Sequence, residues 1–206
     1  MDKNLAVNGD FEKGLEGWSD LWTRDKGAGN CTIDTAVIHG GKQSVRIGHS
    51  GTKDWSFSQD LKLDVKEGDI FELSAWVRVQ GEGNATLCVI IRDAGDKVID
   101  WSYAEKTAHE TKDWRQLKSR FAIPSGAATL QARLIGNGQS TVWLDGFVLK
   151  QYQNLDSIGN KNIPSETSIR NDLLEVIFHS AKAEFEIRDR RTNRSWIQKS
   201  GAASIA

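Results

Sequence analysis

Residues 71–80 read FELSAWVRVQ. Small or apolar side chains take the odd-numbered positions, while the even-numbered positions hold Glu72, Ser74, Trp76, Arg78 and Gln80. A period of two is that of a β-strand with one face in a core. The stretch therefore predicts a half-buried strand.

The same period recurs in other parts of the chain. Residues 61–65, 87–92 and 130–135 alternate in the same way, and turns rich in Gly, Asn, Asp or Pro separate the runs. No helical period lies between them. Short strands at this spacing predict an all-β, two-sheet antiparallel β-sandwich, in which both sheets bury their apolar faces against one core.

The bulk composition narrows the classes of partner. The 206 residues include 27 Lys and Arg against 28 Asp and Glu, a balance that favours neither nucleic acid nor an anionic membrane. No apolar run is long enough to span a bilayer. The two cysteines, Cys31 and Cys88, match no zinc or redox spacing, and a disulfide between them is compatible with the sequence but not required. Eight Trp residues are the compositional outlier, and such rings serve cores and binding platforms equally well.

The pattern of the chain changes near residue 153. We expect residues 4–152 to form the sandwich and the polar residues 153–170 to form a linker. Residues 171–206 are predicted to be a β-hairpin extension or the truncated start of a following domain. A lone hairpin is marginally stable in water, so it must pack on the sandwich or begin a further domain.

Acids stand beside glycines at both ends of the predicted sandwich. Residues 8–12 read NGDFE, and residues 143–146 read WLDG. Such segments suit a strand edge whose carboxylates and carbonyls hold a hard cation. The alternative is that Glu12 and Asp145 are ordinary surface acids, with Lys42 as a partner.

From Asn4 to about Lys150, the order of features resembles the family 4/9 carbohydrate-binding modules. The matching pieces are residues 8–12, 17–18, 39–44 and 71–77, Trp114 ahead of 121–124, and 142–145. This resemblance implies a jelly-roll β-sandwich with no catalysis of its own, attached to a glycoside hydrolase and holding one structural Ca²⁺. By motif position, the ligands are the carboxylates of Glu12 and Asp145 with main-chain carbonyls near Gly9 and Lys42. Gly146 stands where the family usually has a second acid.

The resemblance also implies a sugar-binding sheet. The strands around Cys88 and Arg133 are expected to share it, while the strands around Trp76 and Trp143 share the other sheet. By their positions in the family pattern, Trp55, Trp101 and Tyr103 are expected to stack on a sugar ring. Gln131 and Arg133 are expected to form hydrogen bonds with it. We expect Arg92 on the same face and Trp22 with Arg24 as a further wall. Strict alternation with Phe57 and Leu61 would instead turn Trp55 inward.

Trp76 and Trp143 raise a separate expectation. If both face outward on the other sheet, they form an apolar patch of the kind that soluble domains seldom leave bare. We expect the C-terminal segment to cover this patch.

The leading interpretation is non-catalytic binding of a polysaccharide or oligosaccharide, which targets a catalytic domain of the same polypeptide to its substrate. We expect a monomer that binds neither nucleic acid nor membrane, secreted or at the cell surface, with its leader absent from this chain. The alternative is a sugar-independent interaction or spacer domain. A catalytic role for acid pairs such as Asp100 with Glu105, or Asp54 with Asp60, is disfavoured because nothing in their spacing demands two carboxyls across a cleft.

Overall fold

A computed structural model of the protein describes residues 3–155, 164–180 and 184–198. The chain divides into two compact units, residues 1–158 and residues 159–206, and each is described by itself. Within the described ranges, no helix is long and apolar enough to cross a membrane.

The first unit is a sandwich of two antiparallel sheets. Its strands are β1 (Trp22–Thr23), β2 (Gly29–Asp34), β3 (Ser44–His49), β4 (Asp54–Ser58), β5 (Leu63–Asp64), β6 (Asp69–Gly81), β7 (Ala85–Arg92), β8 (Val98–Ala108), β9 (Arg115–Ala122), β10 (Thr129–Asn137) and β11 (Ser140–Asn154). Sheet 1 has the strand order β1-β4-β10-β7-β8, with β5 also paired to β10, and sheet 2 has the order β2-β3-β11-β6-β9. The predicted all-β sandwich is confirmed.

The predicted division of strands between the sheets is also confirmed. Trp76 of β6 and Trp143 of β11 lie on neighbouring strands of sheet 2. Cys88 of β7 pairs directly with Arg133 of β10 in sheet 1. The alternating residues of these strands put one set of side chains into the core and leave the other set on the outer face of each sheet.

The turns that open the chain pack into this core through aromatic rings. Trp18 stacks on Phe57 with ring centres 4.7 Å apart and meets the edge of Phe147 at 4.9 Å. The backbone N–H of Phe147 donates to the carbonyl of Gly9 at 2.7 Å, and a Cβ at position 9 would overlap the Phe147 carbonyl. The opening segment is therefore tied to the last strand of the sandwich, as its sequence indicated.

The second unit is a four-stranded antiparallel sheet rather than a two-stranded hairpin. Its order is β12-β13-β14-β15, with strands at Glu166–Arg170, Leu174–His179, Glu184–Asp189 and Arg194–Gln198. The first of these strands falls inside the predicted linker 153–170, so the linker prediction is wrong over residues 166–170. The polar sequence ETSIR has the composition of a loop, but its backbone pairs with β13 from Glu166 opposite His179 to Arg170 opposite Glu175. Residues 156–163 lie outside the described residues.

Candidate functional site

A cleft of about 670 Å³ lies on the outer face of sheet 1. Trp22 on β1 and Trp101 on β8 flank it from strands at opposite edges of the sheet. Their side chains are 50% and 61% exposed, respectively, so both rings are open to solvent. The lining residues are Trp22, Arg24, Asp54, Ser56, Trp101, Ser102, Arg133 and Ile135. Four of the eight predicted sugar-binding residues, Trp22, Arg24, Trp101 and Arg133, are thus brought together.

The wall beside Trp22 is an ion pair. Trp22 is placed by its pairing with Ser56 of β4, and Arg24 then follows with its guanidinium engaging both carboxylate oxygens of Asp54. This bidentate contact raises the pKa of Arg24 and lowers the pKa of Asp54. The same guanidinium lies 5.5 Å from the centre of the Trp22 ring. A charged fork and an aromatic face are therefore presented side by side.

Arg133 forms the floor beside Trp101. Its guanidinium donates to the Trp101 carbonyl and, at 3.3 Å, to the hydroxyl of Ser56. It also lies 5.8 Å from the centre of the Trp101 ring. The side chain thereby links three strands of sheet 1 and supports the Trp101 backbone from below. Arg133 is only 9% exposed.

Tyr103 points away from the cleft, and its prediction as a stacking residue is wrong. Its ring packs against the core and meets the edge of Phe121, and its hydroxyl donates to the Ala122 carbonyl at 2.9 Å. The cause is a β-bulge: Asp100 pairs with Ile91 and Tyr103 with Val89, so three steps along β8 match two along β7. The extra residue puts Trp101 and Tyr103 on opposite faces, although alternation alone would place them on one.

Trp55 is likewise a core residue rather than a platform. It is buried between the sheets in phase with Phe57, as strict alternation along β4 predicts. Gly136 of β10 makes room for the indole, since a Cβ there would overlap the Trp55 ring. Turning Trp55 inward turns Asp54 and Ser56 outward, and these two cleft residues could have been found from the same alternation.

Gln131 and Arg92 face the same side as Arg133 but do not line the cleft. Gln131 donates from its amide nitrogen to the carbonyl of Gln59 at 2.7 Å and accepts from Arg92 at 3.2 Å. Arg92 also lies 3.6 Å from a carboxylate oxygen of Asp96. These groups bond to one another, so their place in a sugar site stays a prediction.

Two of the predicted calcium residues, Glu12 and Asp145, both contact the loop that contains Gly41 and Lys42, whereas Gly9 contacts Phe147. One carboxylate oxygen of Glu12 accepts the Lys42 N–H at 2.7 Å, and one oxygen of Asp145 accepts the N–H groups of His39 and Gly40 at 3.0 and 2.9 Å. Gly41 has a φ of +66°, and a Cβ there would overlap the Glu12 carboxylate. The candidate metal ligands, carboxylate and carbonyl groups, are all oxygen, which suits a hard cation. Among the described residues no group of three or more acidic, His or Cys side chains gathers.

Neighbouring side chains pack against the tryptophans on the outer face of sheet 2. Trp143 is 7% exposed, with the guanidinium groups of Arg46 and Arg78 lying 5.9 and 5.6 Å from its ring centre. Its indole N–H donates to Asp34 at 2.8 Å. Trp76 stacks on His39 at 4.0 Å. These covering groups all belong to the first unit, so the patch around Trp143 gives no reason to require the C-terminal segment as its cover.

The two cysteines are free. Cys31 lies on β2 of sheet 2 and Cys88 on β7 of sheet 1, and burial raises their pKa values to about 12 and about 11. The disulfide left open by the sequence is not formed. Thiols with such pKa values are almost wholly protonated at neutral pH and are poor nucleophiles.

A family model for carbohydrate binding domains, family 4/9, matches residues 3–141. The chain therefore belongs to this family of non-catalytic carbohydrate-binding modules. No curated protein matches the sequence.

Solved structures share the fold at low identity. The enzymatically active domain of tailspike protein 4 of bacteriophage CBA120 matches with a TM-score of 0.60 and 13% identity, over 72% of this chain and 21% of that one. The module TmCBM61, solved in complex with β-1,4-galactotriose, matches at 0.51 and 17%, over 73% and 99%. The CBM22-1–GH10 modules of the Clostridium thermocellum endo-1,4-β-D-xylanase 10B, complexed with xylohexaose, match at 0.52 and 12%, over 74% and 28%. The chain thus spans about a fifth of the tailspike chain.

Proposed function

We propose that this chain binds an oligosaccharide or polysaccharide in the cleft between Trp22 and Trp101. The observation that carries the proposal is the pair of exposed indoles flanking a cleft with a charged and hydroxylated lining. The flat C–H face of a sugar ring stacks on an aromatic ring, and planar polar groups beside it pair with the hydroxyls. Arg24 and Asp54 supply such planar groups here, and Ser56 adds a hydroxyl.

The shape of the cleft favours sugar over a purely structural role. A spacer domain has no need to leave two indoles exposed on one face, because burying them would stabilise the fold. The volume of about 670 Å³ falls in the ordinary range of small-ligand sites. We therefore favour glycan binding over the sugar-independent spacer.

The proposal extends to the context of the module. Modules of this kind occur beside catalytic modules, as in the xylanase 10B chain. We propose that this chain targets a glycoside hydrolase of the same polypeptide to its polysaccharide, outside the cell. Holding the enzyme on an insoluble substrate raises the local substrate concentration, which is the physical benefit of such a module.

Affinity electrophoresis over soluble β-glucan, xylan, mannan and galactan tests the binding. Retardation on at least one glycan, lost in the double variant Trp22→Ala/Trp101→Ala, supports the proposal. Trp196→Ala is the matched control, because Trp196 is 58% exposed but belongs to the second unit. Unchanged mobility of the folded protein on every glycan would favour the spacer.

We also propose that Ca²⁺ binds beside Glu12 and Asp145, with carbonyl oxygens near Gly9 and Lys42. The ion would neutralise the carboxylates and stabilise the junction between the opening segment and β11. Chelation should then lower the melting temperature, since a ligand of the native state is removed. Glu12→Gln should abolish the difference between protein with calcium and protein with chelator. An identical melting temperature with and without chelator would count against the ion.

A further inference from the structure

The arginines on the outer face of sheet 1 differ in how their charge is balanced. Arg24 forms a bidentate pair with Asp54, and Arg92 lies 3.6 Å from Asp96. For Arg133, no carboxylate oxygen of a described residue lies within 4.0 Å of its guanidinium; its acceptors are the Trp101 carbonyl and the Ser56 hydroxyl. The most buried of the three is therefore the one without an ion-pair partner.

This arrangement is electrostatically unfavourable in the free protein. Removing a guanidinium from water is costly unless an anion compensates it. Arg133 is 9% exposed, and its Nε is buried with no hydrogen-bond partner. Asp54 and Arg133 act on each other electrostatically, and Asp100 and Glu105 act on the neighbouring Cys88. None of these three carboxylates forms an ion pair with Arg133, and Asp54 is already engaged by Arg24. Among the residues that line the cleft, Arg24 and Arg133 carry positive charge against the single carboxylate of Asp54.

We infer that the cleft is selective for an acidic glycan, one whose sugar rings carry carboxylate groups, with Arg133 as the residue that recognises the charge. The inference rests on the proposed function and names its substrate class. The guanidinium lies over the Trp101 ring, 5.8 Å from its centre, so a sugar bound against Trp101 would lie near this charge. A carboxylate on the ring would then supply a direct ion-pair partner, which Asp54 does not, because Asp54 is engaged by Arg24. A guanidinium N–H forms a charge-assisted hydrogen bond with a carboxylate, which is stronger than its hydrogen bond to a neutral hydroxyl.

The test compares each acidic polysaccharide with its own neutral form. Suitable pairs are oligogalacturonate with its methyl ester, and glucuronoxylan with the carboxyl-reduced polymer. In calorimetric titration, the acidic member of a bound pair should bind about tenfold more tightly or better, as expected for a charge-assisted hydrogen-bonded contact. The preference should shrink as salt is raised from low to physiological ionic strength.

Three variants assign the preference to Arg133. Arg133→Gln should bring the affinities for the acidic and neutral forms to within about threefold, and Arg133→Lys, which keeps the charge but not the planar guanidinium, should retain part of the difference. Arg46→Gln is the matched control: it removes one positive charge from a guanidinium 5.9 Å from a Trp ring on the other sheet, and it should leave the preference intact. If Arg133→Gln fails to fold, Arg133→Lys and the salt dependence of the native protein still decide.

The outcomes separate the two proposals. Equal or tighter binding of the neutral forms, or a preference that survives in Arg133→Gln, overturns the acidic-glycan inference while leaving glycan binding in place. If no glycan of either kind binds the folded protein, the proposed function itself fails, and the inference with it.

Discussion

The two sheets of the sandwich both carry tryptophans on their outer faces, yet they treat them in opposite ways. On sheet 1, Trp22 and Trp101 stand open at the edges of a cleft. On sheet 2, Trp143 is covered by two arginines and hydrogen-bonded to Asp34. Among the described residues, Trp22 and Trp101 each have one guanidinium near the ring and stay at least half exposed, whereas Trp143 has two and is buried. An outward-facing indole thus becomes a candidate binding surface only where its neighbours leave much of the ring exposed. Residue type and strand face are shared; the local cover differs.

The largest expected effect is a loss of stability when the covered indole of sheet 2 is removed. Trp143→Ala should lower the free energy of unfolding by about 3 kcal/mol, because it removes a nearly buried ring and leaves a cavity beneath Arg46 and Arg78. Urea denaturation measures this loss, and titration of the folded protein should show unchanged glycan affinity. A loss of affinity without a loss of stability would reverse the roles assigned to the two sheets.

Removing an exposed indole of sheet 1 should instead weaken glycan binding and leave the stability nearly unchanged. Trp101→Ala should weaken glycan binding at least tenfold, about 1.4 kcal/mol, because an aromatic ring that stacks on the ligand carries much of the binding energy. The free energy of unfolding should change by less than about 0.5 kcal/mol, since the side chain is 61% exposed. Calorimetric titration and urea denaturation of the same sample check both halves, and substantial destabilisation would show that Trp101 is a structural residue.

Tyr103 and Trp101 allow the same contrast between a packed ring and an exposed ring to be tested within one strand, β8. Tyr103→Phe should cost about 1 kcal/mol of stability, because it removes the hydrogen bond from the hydroxyl to the Ala122 carbonyl. Glycan affinity should be the same as in the native protein, in contrast to Trp101 two residues earlier. The measurement is paired thermal denaturation and titration. Weakened binding in this variant would mean that the bulge in β8 does not turn the ring inward.

The smallest expected effect is a change in how the stability of the fold depends on acidic pH. The indole N–H of Trp143 and the amides of Val37 and Ala36 donate to Asp34 and hold its pKa below the ordinary value. A lowered pKa stabilises the fold above the unfolded-state value of about 3.9, and that stability is lost as the pH falls further. Asp34→Asn should therefore be less stable than the native protein at neutral pH, with a smaller drop on acidification to about pH 2. If the free energy of unfolding falls equally with pH in the two proteins, Asp34 does not contribute to the acid dependence of stability.

Several features of the fold were predictable because they depend on local patterns. Alternation along residues 71–80 and 130–135 gave the correct strands, and the same alternation correctly favoured burial of Trp55. The junction of the opening segment with β11 was implied by the family resemblance, and the hydrogen bond between Gly9 and Phe147 forms it. The resemblance to family 4/9 modules is confirmed by the family match over residues 3–141.

Other features could not be predicted, because they depend on partners distant in sequence. The bulge that separates Trp101 from Tyr103 arises from the register between β7 and β8. The strand at Glu166–Arg170 has a polar sequence with no apolar face, and its backbone pairing with β13 makes it a strand. Nothing around Trp143 in the sequence shows that Arg46, nearly 100 residues earlier, lies against its ring.

The sequence by itself determined the all-β class, the strand-rich first unit and the family, because alternation and turn residues act over a few neighbouring positions. Tertiary structure alone decided which aromatics are open and which are covered. Exposure of a ring depends on the strands beside it and on the side chains that reach it across the sheet. For the same reason, only the folded chain shows that Arg133 is buried in the cleft without an ion-pair partner among the described residues, while Arg24 and Arg92 have theirs.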